Sequence, residues 1–165
     1  MQAKSLLTQR IRILLVFFMF ALTVSGLTAI PMQWELRMIL PLFGNGSMFG
    51  SMFPALANWL ELINTGIQNG YGHYPFLAYG TDWLAFGHVA IAAAFIGPLR
   101  DPVKNIWVVE FGMIACVMIV PWTLIFGAIR DIPLFWQLID VSFGILGIIP
   151  LWFARREILS ISKEL

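Results

Sequence analysis

Four long apolar runs constrain this chain more than any other feature. Ile13 to Trp34 and Trp83 to Leu99 carry no charge, Asn105 to Ile129 carries only Glu110, and Ile132 to Ala154 carries only Asp140. A hydrocarbon layer ~30 Å thick is crossed by about 20 helical residues. Inside it the backbone must satisfy its own hydrogen bonds, which leaves helices and closed barrels. The runs lack the period-2 alternation of a barrel strand, so they read as helices. The expectation is an all-α integral membrane protein. Its four transmembrane helices fall at about 13–34, 82–99, 105–129 and 132–154 and form an antiparallel bundle, because the last two connections are short. Residues 1–165 then make one transmembrane domain.

Composition supports this. Charged residues are 12% of the chain and hydrophobic ones 59%, whereas a soluble domain is about a quarter charged. That balance excludes a disordered chain and a soluble globular enzyme. The net charge of +1 gives no basic face for nucleic acid, so none is expected as a partner. The single cysteine, Cys116, excludes an internal disulfide and a cysteine metal cluster. Lys4, Arg10 and Arg12 precede the first run as in a signal peptide, but the run is longer than an apolar signal core of about 7–15 residues, so it reads as a retained helix.

The cations orient the helices. With the N-terminus inside, Lys4, Arg10, Arg12, Arg100, Lys104, Arg155, Arg156 and Lys163 fall on the cytoplasmic side, and only Arg37 and Arg130 fall outside. Both termini are then cytoplasmic, and the host is a plasma or inner membrane. Trp34, Trp59, Trp83, Trp122 and Trp136 lie toward the outer interface and Trp107 and Trp152 toward the inner one, as an aromatic belt would. Thr81 and Asp82 are placed to cap the second span, Gly97-Pro98 to end it, and Pro133 to start the fourth. Pro121 is expected to kink the third.

Residues 35–81 form the one long connection, read as an extracytoplasmic cap. Within it, Pro54 to Ile67 has a helical pattern: Leu56, Leu60, Ile63 and Ile67 share one face, and Asn58, Glu61, Thr65 and Gln68 another. This predicts an amphipathic helix at the outer interface. Gly44-Asn45-Gly46 and Gly70-Tyr71-Gly72 read as turns, and Trp34 to Phe43 as a short helix opposed by Pro41. The segment serves equally as a lid over a pocket or as a structural plug.

Ionisable residues at membrane depth are costly and usually face a bundle interior. His88, Glu110 and Asp140 are the three candidates, with Asp82 at the boundary. Counting 1.5 Å per residue, His88 lies ~9 Å below the outer surface, Asp140 ~12 Å from the same side, and Glu110 roughly 10 Å deeper. His88 and Asp140 are thus level enough to pair. A carboxylate raises a histidine's basicity, and burial favours a neutral acid, which together supply acid–base chemistry on a lipophilic substrate. Trp83, Trp122 and Trp136 add π-faces that suit a cationic centre. Asp140, Gly144 and Gly147 share one helix face, which sets Asp140 against another helix, and helix 2 is also rich in small residues. The plainer alternative is that these polar groups only hold helices together.

No cofactor is expected. A bis-histidine haem is disfavoured because His73 lies in the outer connection, away from His88. Met32, Met38, Met48 and Met52 near His73 suit Cu(I), but methionine is also common filler at apolar surfaces, so no metal site is assigned. Arg155-Arg156 reads as a stop signal at anionic headgroups. Three functional classes remain. The first is an intramembrane polar pocket for a lipophilic small molecule. The second is a non-catalytic accessory or assembly subunit, with a membrane partner or a second copy. The third is a proton or ion relay through His88, Asp140 and Glu110. Membrane lipid is a partner in all three.

Overall fold

Helix is the only regular structure among the described residues, which are 2–163, with side chains from residue 8 onward, in a computed structural model. The side chain of Lys4, used above to orient the chain, lies outside them. In order the elements are α1 (Gln2–Leu27), α2 (Met32–Phe43), α3 (Met48–Met52), α4 (Pro54–His73), a 3-10 turn (Pro75–Leu77), α5 (Ala78–Ala94), α6 (Ile96–Arg100), α7 (Ile106–Ile129) and α8 (Leu134–Ser162). Four stretches are long and apolar enough to cross a membrane: Thr8–Leu27, Pro75–Arg100, Ile106–Ile129 and Leu134–Ser162. The chain is therefore a helical membrane protein. Its contacts divide it into two units, one made of residues 1–22 and 90–165 and the other of residues 23–89.

In the first unit, α1 contributes Ile11, Leu15 and Phe18 to a core with Phe95, Val109, Cys116, Leu151, Ala154, Ile158 and Ile161. Phe18 and Phe95 meet with ring centroids 4.9 Å apart. The core stripe on α8 runs past Ala154, and so does the helix, although the sequence reading ends the span there. Ile158 and Ile161 continue the 3- and 4-residue spacing of Leu151 and Ala154, so burial carries the helix through Arg155 and Arg156. Between α6 and α7, Asn105 Nδ2 donates to Asp101 O at 2.8 Å and Gly97 O at 3.2 Å, which fastens the turn at Asp101 to Asn105. Pro121 and Pro150 both lie inside unbroken helices, each without an N–H to donate.

In the second unit, α1 ends at Leu27 rather than Trp34. Pro31 disfavours a helical residue before it, and Thr28 to Pro31 form a turn in which Thr28 Oγ1 donates to Ser25 O at 2.8 Å. Thr8–Leu27 still spans ~30 Å. Trp34 belongs instead to α2, which tolerates Pro41. The turn after α2 uses Gly46 at φ +86°, a conformation that favours glycine. Ser47 then caps α3, accepting from Gly50 N at 2.9 Å.

Helix α4 covers the expected Pro54 to Ile67 and continues to His73, so Gly70-Tyr71-Gly72 is helical and not a turn. Its stop is Pro75, with Tyr74 before it out of the helical region at φ −134°, ψ 72°. Leu60 and Ala57 are buried, Leu56, Ile63 and Ile67 are half-buried, and Asn58 and Thr65 are exposed. Helix α5 begins before Thr81 and Asp82, so neither caps it. Thr81 Oγ1 donates back to Ala78 O at 2.7 Å, and Asp82 is an exposed helical residue.

Candidate functional site

The α7–α8 pair positions two of the three intramembrane ionisable groups. Glycines set how closely the helices approach. A Cβ on Gly144 would sit 2.5 Å from Cys116 O, and one on Gly147 3.1 Å from Cys116 Sγ. At the other end Gly127 lies directly beneath the side chain of Gln137, which is buried and donates from Nε2 to Ile132 O at 2.7 Å. The small-residue face of α8 thus packs on α7, whereas the sequence pointed to helix 2 as its candidate partner.

Gly127 against Gln137, Cys116 against Gly144, and Glu110 against Arg155 run in one antiparallel register. That register brings Asp140 level with Thr123 on α7, and both residues are half-buried. Asp140 lies six residues into α8, or ~9 Å along it. Among the described residues it makes no hydrogen bond or ion pair. One turn further in, Gly144 closes the space between the helices.

Glu110 is differently placed. Its Oε1 accepts from Arg155 Nε at 2.8 Å, a charge-assisted bond between the two spans. The side chains are 33% and 39% exposed, so the pair is partly wet. Arg155 was legible in sequence only as a stop signal, and nothing in the pattern tied it to Glu110, 45 residues away.

His88 sits in the second unit. Its Nδ1–H donates to Leu84 O at 2.8 Å, which leaves Nε2 of the neutral ring as an acceptor. Gly26 on α1 packs directly on the His88 Cβ, an approach that any larger residue would block. The sequence depths of His88 and Asp140 assumed a helix start at Asp82. The start at Ala78 puts His88 ~15 Å along α5, so equal depth no longer follows from counting. Trp83 packs edge-on to Tyr79 and Phe86, at 5.9 and 5.4 Å, and Trp122 lies 4.7 Å from Phe126. Both indoles are exposed on the spans, and Trp136 is half-buried. His73 Nδ1–H donates to Asn69 O at 2.9 Å in the last turn of α4. No three His, Cys, Asp or Glu side chains among the described residues converge as metal ligands.

Chemically, α7 and α8 carry three carboxylates: Glu110, committed to Arg155, and Asp140 and Glu157, for neither of which a hydrogen bond or ion pair forms among the described residues. Thr123 was not a candidate in the sequence, because the register that sets it level with Asp140 needs the helix pairing to be known first. No protein-family model, curated protein or solved structure matches the chain.

Proposed function

We propose, from the chain's own residues since no relative lends it a role, that this membrane protein holds a lipophilic small molecule at an intramembrane site anchored by Asp140. The observation that carries this reading is the unpaired, half-buried Asp140 carboxylate in a spanning helix. A membrane-depth acid without a partner is costly, and helix packing alone does not account for it as it does for Glu110. Thr123 would be its polar neighbour and Gly144 the floor of the site. The matching ligand has an apolar body and one basic or hydrogen-bond-donating group. Trp122 and Trp136 would favour a cationic centre. Orientation completes it: the cation asymmetry supports cytoplasmic termini in a plasma or inner membrane, with α4 along the outer interface.

The relay reading is disfavoured, because its inner step, Glu110, is bound to Arg155. The accessory-subunit reading competes on the same residue, since a partner's polar group would also satisfy Asp140.

The test is native mass spectrometry of protein purified in mild detergent, wild type beside Asp140→Asn and His88→Ala. The proposal expects a small apolar molecule on the wild type that is lost from D140N while circular dichroism is unchanged. A wild type without such a molecule, together with a co-purifying membrane protein that D140N loses, would overturn it in favour of the accessory reading. Loss in H88A as well would show that His88 also matters for retention of the molecule.

A further inference from the structure

The end of α8 has two faces of opposite character. Leu151, Ala154, Ile158 and Ile161 are buried in the core. On the other side, Trp152, Arg155, Arg156, Leu159, Ser160 and Lys163 line a groove of about 320 Å³. Their spacings of three and four residues put them in one stripe along the helix. Three of the six are cations and none is an anion.

Two of the cations are held in place. Glu110 pins the Arg155 guanidinium through Nε at 2.8 Å. Arg156 Cζ lies 5.8 Å from the centroid of the Trp152 ring, within cation–π range. Ordering them before a ligand arrives removes part of the entropic cost of binding. The nearest acid on the same helix, Glu157, turns Oε2 into a buried position, away from solvent.

Length says what the groove meets. Helix α8 has 29 residues, ~43 Å at 1.5 Å each, against a hydrocarbon core of ~30 Å. Its first 20 residues or so fill that core. The turns from Arg155 onward then lie in the headgroup layer, with the half-exposed Trp152 at the boundary where tryptophan prefers to sit. We infer that this groove binds the phosphate of an anionic phospholipid. Arg156 and Lys163 supply net charge, Arg155, paired with Glu110 through Nε, its remaining N–H donors, the Ser160 hydroxyl a hydrogen bond, and Trp152 and Leu159 the walls for the glycerol and upper acyl chain. This inference does not depend on the Asp140 site.

The full-length protein in micelles containing equal amounts of phosphatidylglycerol and phosphatidylcholine provides the test, with bound lipid counted by native mass spectrometry. Each basic residue near a membrane surface contributes about a five-fold preference for anionic lipid, so Arg156→Gln with Lys163→Gln should cut the phosphatidylglycerol preference about thirty-fold. Both residues are exposed, and circular dichroism checks that the variant folds. Should the double variant unfold, Lys163→Glu alone must still lower the preference. In a second arm, inorganic phosphate is compared with chloride at equal ionic strength. Equal displacement by the two salts supports the lipid. An unchanged preference in the variants would overturn the inference, as would displacement by phosphate beyond that by chloride, which would mark a soluble phosphate site.

Discussion

Gly144→Ala tests the α7–α8 contact most directly. The added Cβ would lie 2.5 Å from Cys116 O, 3.4 Å from Ile119 Cβ and 3.5 Å from the Cys116 carbonyl carbon. The nearest atom is a backbone oxygen, which no rotamer change can move, so the helices must separate by about 1 Å to restore van der Waals contact. Overpacking of this kind costs about 1–3 kcal/mol. The alanine returns about 0.5–1 kcal/mol of helix propensity. The net expectation is a loss of about 0–2.5 kcal/mol. Two other glycines calibrate it. At Gly112 the new Cβ meets side-chain ends, Phe95 Cζ at 2.7 Å and Leu151 Cδ1 at 2.9 Å, which can pivot. At Gly66 in α4 it meets nothing within 4 Å, so alanine there should stabilise by about 0.5–1 kcal/mol. Unfolding midpoints in mixed dodecylmaltoside–SDS micelles should therefore rank G66A above wild type and G144A lowest. A G144A protein stabilised as much as G66A would refute the close backbone approach and, with it, the register that sets Asp140 level with Thr123.

Other perturbations probe separate features. A double-mutant cycle with Glu110→Gln and Arg155→Gln should return a coupling below about 1 kcal/mol, because both groups are about one-third exposed and water screens them; a value several-fold larger would mean the pair is dry. Ser47→Ala removes the cap on Gly50 N and should cost about 1 kcal/mol, seen as faster amide exchange in residues 48–52 without a change in the spans. Gly26→Leu puts bulk where the His88 Cβ packs and should lower stability by about 1–3 kcal/mol in the same SDS titration, whereas a neutral result would argue against that contact.

How much of this was readable beforehand depends on the physical signal. The spans were legible because crossing lipid requires a run of apolar residues of fixed length, which is a one-dimensional property. The amphipathic helix in the 35–81 connection was legible because burial on one face imposes a 3.6-residue period. Boundaries were read less well where a single residue outweighed the pattern. Pro31 ends α1 seven residues early, and Pro75, rather than the glycines, ends α4.

The partners of the polar groups were not legible at all. In a soluble helix hydropathy marks the buried face, but in lipid every face of a span is apolar, so the sequence does not say which way a side chain points. It determined that this is a helical membrane protein with rare ionisable residues in its spans. Only the tertiary structure decided that Glu110 is held by Arg155, that Gly144 and Gly147 close on Cys116, and that Asp140 is left without a polar partner in its span. The reason is that pairing depends on helix rotation and register, which short-range backbone contact at a few glycines sets and composition does not encode.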